Sequence, residues 1–146
     1  METDRLSIIK IKGRGALPGV AEGVALVFPD SIAGNSGAIG DKDGVIYEKG
    51  SINYGKSIHN AIIVMPCSKG SNGFSSHMKS AYISGVRPAG IVSTIMDGRL
   101  GVVVASLNIP TVADFKGDDP VQTIKTGDWV QVDGHTGVVT VTRQDT

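Results

Sequence analysis

One cysteine, few aromatic residues and no surplus of either charge are what this 146-residue sequence offers, and each shortage removes a class of protein. Cys67 alone makes neither an internal disulfide nor a Cys-clustered metal site, and a lone thiol suits a reducing compartment better than secretion. For the same reason, no iron–sulfur cluster is built from this chain's own thiolates. His59, His77 and His135 lack metal-ligand spacing, so no zinc site is expected. Fourteen Lys and Arg balance fourteen Asp and Glu, which leaves no nucleic-acid footprint and no acidic tail. No apolar run approaches the ~18 residues of a membrane span, and Met1-Glu2-Thr3-Asp4-Arg5 lacks a signal-peptide core. A cytoplasmic protein with no membrane partner is the expectation. Aromatics at 5% leave aliphatic side chains to fill the core.

The length suits one domain, residues 1–146. Twenty glycines and a scarcity of long helical patterns point to an α/β chain in which short strands predominate. Leu6 to Lys12 alternates apolar and polar residues, and Val24 to Phe28 follows a glycine; both read as strands. Gly13-Arg14-Gly15 and Pro18 to Gly23 read as a turn-rich connection between them, and Pro29 to Gly44 as loop. Val45-Ile46-Tyr47 is a candidate short strand. Ala61 to Met65 is a continuous apolar run ended by Pro66, the pattern of a buried central strand. Ala89 to Ile95 and Val102 to Ala105 read as further buried strands, and Ile109 to Val112 as an edge or crossover segment. Asp119-Pro120 carries the start signal of a short helix. Trp129 to Val132 and Val138 to Thr142 form a hairpin across Asp133-Gly134-His135-Thr136-Gly137.

After Pro66 the chain turns small and polar: Cys67-Ser68-Lys69-Gly70-Ser71-Asn72-Gly73. Phe74, Met78, Ala81 and Tyr82 then recur at helical spacing, predicting one main amphipathic helix over about Ser75–Ser84 with Gly85 as its stop. A strand that feeds a Gly/Ser loop and opens a helix presents free N–H groups and the positive end of the helix dipole. Lys69, Ser71, Ser75 and Ser76, with the backbone at Gly70 and Asn72, would hold a carboxylate or phosphate there. A serine acting as acid–base group at this point needs those amides and a nearby cation to stabilise its alkoxide. Ser and Gly before a helix also serve as plain caps, and local pattern leaves both roles open. The loop lacks the G-x-x-x-x-G-K-[ST] spacing of a nucleotide site. Cys67 at the strand end is either a reactive thiol or an inert buried one. His77 lies in the helix's first turns, while His59 and His135 read as surface residues.

Several stretches occur in an order and spacing that resemble the small subunit of the aconitase X family. They are Gly19 to Val27, Asp43-Gly44-Val45-Ile46, Gly55-Lys56-Ser57-Ile58, Lys69-Gly70-Ser71, Pro88 to Val92, Ile109-Pro110, and Gly127 to Gly134 followed by Gly137-Val138-Val139. The resemblance covers about residues 10 to 142. It implies a swivelling β/β/α domain that docks on a large subunit carrying an iron–sulfur cluster, together forming a hydro-lyase that is inactive without that partner. It further implies that Ser71 is the proton acceptor and that the partner's iron assists departure of the hydroxyl as a Lewis acid; Lys69, Gly70, Asn72 and Ser75, from the anion-site pattern, are the candidate substrate contacts. Lys69 stands where the family usually has arginine, replacing a bidentate fork with a point charge, and Lys49 to Asn53 replaces a common His-Pro pair. Family members dehydrate mevalonate 5-phosphate or cis-3-hydroxy-L-proline, and these departures lean towards a bacterial hydroxy acid or hydroxyproline-like substrate. Two rivals share the pattern: a phosphohistidine swivelling domain of a phosphoenolpyruvate-type system, from Ser75-Ser76-His77, and a non-catalytic interaction module in which Ser71 is only a cap.

Overall fold

The computed structural model describes residues 5–29, 43–47, 52–67 and 83–145. The elements are β1 (Arg5–Lys12), β2 (Arg14–Leu17), β3 (Val20–Val27), β4 (Ile62–Met65), β5 (Gly90–Ser93), α1 (Gly98–Leu107), β6 (Thr111–Ala113), α2 (Pro120–Thr123), β7 (Trp129–Asp133) and β8 (Val138–Asp145). The strands form one eight-stranded sheet in the order β1-β8-β7-β3-β4-β5-β6-β2.

β3 joins two pairing regimes. Its first half, Val20 to Val24, pairs antiparallel with β7, and its second half, Ala25 to Val27, pairs parallel with β4. Every residue of β4 and β5 is buried, as expected of parallel strands covered on both faces. Alternation then splits β4 between two cores. Ile62 and Val64 face Ile11, Val130, Val132, Val139 and Val141 of the antiparallel half. Ile63 and Met65 face Leu100, Val103, Val104 and Leu107 of α1. The result is the expected β/β/α layering, with aliphatics supplying nearly all of both cores. Each fully buried Ile, Leu or Met contributes about 1.5–3 kcal/mol.

The segment read as a strand at Val102 to Ala105 lies inside α1. Three consecutive valines suggested a buried strand, but Leu100, Val103, Val104 and Leu107 sit at helical spacing and are the residues that are buried, while Val102 is 63% exposed. Asp97 caps the helix by accepting from the Leu100 N–H at 3.2 Å, and Asn108 closes it in the left-handed conformation. A helix is also what the parallel β5-to-β6 crossover requires.

Two further readings change. The connection after β1 contains β2 and the first half of β3, because β2 pairs with β6 across the chain. That pairing also places β6 inside the sheet, between β5 and β2, and not at an edge. Ala61 to Met65, the Asp119-Pro120 helix start and the hairpin appear as read. Val45 makes only an isolated bridge to Ser57. The helix expected over Ser75–Ser84 lies almost wholly outside the described residues, although Gly85 takes the left-handed φ of 87° that suits a helix stop.

The hairpin turn is bound back to the start of the chain. Asp133 accepts from the N–H groups of His135 and Thr136, Gly134 N–H donates to Gly19 O, and His135 Nε2, on an exposed side chain, accepts from Gly19 N–H at 3.1 Å. A Cβ at Gly134 would fall on the Leu17 carbonyl oxygen, so only glycine fits where these segments meet. At the opposite end of the hairpin, Arg143 grips Asp128 with Nε on one carboxylate oxygen at 3.0 Å and Nη2 on the other at 2.6 Å, and also donates to Thr123 O. Burial acts to raise the Asp128 pKa, but Arg143 and the Lys125 N–H outweigh it and hold the carboxyl below its ordinary value.

Two measurements check this arrangement. In urea unfolding, Leu100→Ala is expected to cost about 2–5 kcal/mol and Val102→Ala to stay within about 0.5 kcal/mol of the parent; equal losses would contradict the helix. A carboxyl whose folded pKa is depressed stabilises above its unfolded pKa and loses that contribution as pH falls through the folded value. Asp128→Asn should therefore cost roughly 2–3 kcal/mol near neutral pH, with the penalty shrinking as pH falls below about 4; a penalty independent of pH would be the contrary result.

Candidate functional site

In open α/β sheets, ligands bind outside the carboxyl ends of the parallel strands. β4, β5 and β6 run parallel, so Pro66-Cys67, Ser93-Thr94 and Asp114 emerge along one edge. β2 runs antiparallel to β6, which brings Arg14 to the same edge.

The ends of the strands are tied together here. Thr94 N–H donates to Met65 O and Ile95 N–H to Pro66 O, each at 3.0 Å. Ser93, fully buried, places Oγ 2.7 Å from Ile95 O and 3.2 Å from Pro66 O, sharing its one proton between them. Thr94 Oγ1 donates to Asp119 Oδ1, which also caps α2 through the Val121 N–H. The carboxyl end of β4 at Pro66 is therefore held by both backbone and side-chain hydrogen bonds.

Asp114 is the most constrained polar residue of this edge. Its φ of 58° is a backbone conformation that few non-glycine residues adopt, and Asp tolerates it better than most. Its Oδ1 accepts from Met96 N–H at 2.9 Å, and its Oδ2 accepts from Arg14 Nε at 2.8 Å and lies 2.7 Å from Arg14 Nη2. The Met96 N–H is the chief cause, and Arg14 a further one, of a carboxyl pKa held below its ordinary value against the opposing effect of burial. Lys12, Gly13, Arg14, Asp114 and Lys116 line an open cleft of about 610 Å³. A second hollow, about 700 Å³, lies at the amino end of β4 among Glu22, Lys56, His59 and Trp129, at the opposite strand end from Pro66 and Cys67.

The residues that sequence reading placed in the site, Ser71, Lys69, Gly70, Asn72 and Ser75, lie outside the described residues, as do Ser76 and His77. Cys67 is a half-buried free thiol at the strand end. His59 is exposed, its Nδ1 3.4 Å from Arg87 N. Sequence reading missed Arg14 and Asp114, which lie 100 residues apart. The one local signal was an arginine set between two glycines.

The family model of the aconitase X swivel domain matches residues 10–141 of this chain, the span over which the resemblance was drawn. The phosphomevalonate dehydratase small subunit of Methanocella arvoryzae is 34% identical over 131 residues, covering 90% of this chain and 98% of its own length. That of Methanocaldococcus jannaschii is 32% identical over 133 residues, with 91% and 98% covered. Among solved structures, the holo-form of aconitase X from Thermococcus kodakaraensis superposes with a TM-score of 0.81 at 27% identity, over 91% of this chain and 98% of the matched one.

The strain at Asp114 gives a direct check on the edge. Asp114→Asn keeps the tolerated backbone and an acceptor for Met96, and is expected to stay within about 1 kcal/mol of the parent, whereas Asp114→Val should cost about 2–3 kcal/mol. Equal stability of the two variants in urea unfolding would contradict the geometry.

Proposed function

The chain belongs to the aconitase X swivel-domain family, and from that premise we propose that it is the small subunit of a hydro-lyase that dehydrates mevalonate 5-phosphate in a site completed by a large subunit. The observation that carries this reading is the strand edge itself. In the sequence, Ser71 follows six residues after the carboxyl end of β4, the end at which parallel sheets meet their ligands. The relatives are named small subunits, which supplies the expectation of a large one. They are also named for phosphomevalonate, so mevalonate 5-phosphate stands ahead of cis-3-hydroxy-L-proline, reversing the lean drawn from Lys69. No helix among the described residues is long and apolar enough to cross a membrane.

Both substrates are acids with a hydroxyl on the carbon beta to the carboxylate. Ser71, as alkoxide, takes the proton from the alpha carbon; the C–H electron pair becomes the double bond, the beta C–O bond breaks, the departing hydroxide takes a proton from solvent to leave as water, and Ser71 returns its proton to solvent. Lys69 and the loop amides of Gly70 and Asn72 stabilise the alkoxide, and Ser75 contributes a hydroxyl to the bound carboxylate. The iron–sulfur cluster expected of such an enzyme does not fit this chain: Cys67 is its single cysteine, and among the described residues no three His, Cys, Asp or Glu side chains stand together. The cluster belongs to the large subunit in this reading, and no step of this chain's chemistry is routed through it. The small chain alone is then half a site and inactive.

Ser71→Ala in the assembled pair is expected to lower the dehydration rate by at least about 100-fold while leaving assembly on a sizing column unchanged. Normal turnover by that variant would remove Ser71 from the role of base. An acid-labile phosphate on His77 after incubation with phosphoenolpyruvate would instead favour phosphotransfer.

A further inference from the structure

The cleft beside the strand edge carries an uneven charge. Lys12, Arg14 and Lys116 face one carboxylate, Asp114, leaving a surplus of two positive charges. Arg14 is half-exposed but not free to swing, because Nε and Nη2 both engage Asp114 Oδ2. That grip leaves Nη1 without a partner among the described residues. Asp114 is in turn fixed by its left-handed backbone and by the Met96 N–H. Gly13 lets the chain before Arg14 lie close against β6, since a Cβ there would press on the Ala113 carbonyl and stand 3.2 Å from the Phe115 ring.

We propose that this cleft is a phosphate-binding subsite, in which Lys12, Arg14 and Lys116 receive the phosphate monoester of the substrate and Asp114 is the positioning residue for Arg14. The proposal rests on the dehydratase reading for its substrate, and it names the part of that substrate this chain grips. A phosphate monoester carries about −1.5 to −2 charge near pH 7, which matches the surplus, whereas a carboxylate carries half as much or slightly more. A guanidinium held by a carboxylate on one side presents its remaining N–H groups in a fixed direction, the arrangement that suits a planar-donor contact to phosphate oxygens. Lys69 offers only a point charge, so Arg14 supplies the fork.

The test has two arms. In the first, the full ¹⁵N-labelled chain is titrated with inorganic phosphate against sodium chloride at constant ionic strength. Saturable shifts are expected at the amides of Gly13, Arg14, Asp114 and Lys116 with a Kd on the order of millimolar, lost in the Lys12→Gln/Lys116→Gln double variant. Absence of saturation, an equal response to chloride, or shifts centred elsewhere would overturn the subsite. In the second, the assembled pair is assayed with mevalonate 5-phosphate. Lys116→Gln and Asp114→Asn are each expected to raise KM about tenfold with kcat within about twofold. A pair that turns over with unchanged KM in these variants retires the subsite and leaves the dehydratase reading standing. A pair that does not dehydrate this substrate retires that reading, and the phosphate titration then decides the subsite alone.

Discussion

The strand Ile62–Met65 has no side turned to water, and the rest of the described molecule supplies the two faces it must bury. Ile62 and Val64 require the antiparallel half to fold over them, and Ile63 and Met65 require α1. A strand covered on both faces can meet solvent chemistry only at its ends. Its amino end runs into the turn at Asn60 and Ala61, and its carboxyl end is followed by Pro66 and Cys67.

That edge is built from pieces distant in sequence: Pro66, Ser93, Thr94 and Asp114 at strand ends, with Arg14 arriving on β2. Rigid hydrogen bonds between backbone ends hold it, and the buried Ser93 hydroxyl bridges two of them. Polar groups that gather here do so because the interior, filled by aliphatic side chains, has no room for unpaired ones. The Asp128–Arg143 pair shows the alternative, a carboxylate that enters the protein only with its donors in place.

Much of this was legible in the sequence, and the failures have physical causes. β4 announced itself through five consecutive apolar residues and Pro66, the β7–β8 hairpin through its Asp-Gly turn, and α2 through Asp119-Pro120. α1 was misread because Val102, Val103 and Val104 favour strands locally, while the Leu100, Val103, Val104 and Leu107 stripe records the packing that prevails. β2 escaped notice because four residues flanked by glycine gain a partner only through β6, and Arg14 and Asp114 share no local pattern. Ser71 is the reverse case. Capping rules and catalysis ask for the same small polar residues before a helix, so local chemistry left its role open, and the family's ordered motifs raised it above a cap.

The proposed dehydratase site needs a second subunit to complete it. Its most direct test is an assay of mevalonate 5-phosphate dehydration with the purified chain, the purified large subunit and the two together. Turnover by the mixture alone is the predicted result; turnover by either chain separately, or none by the mixture, would contradict it.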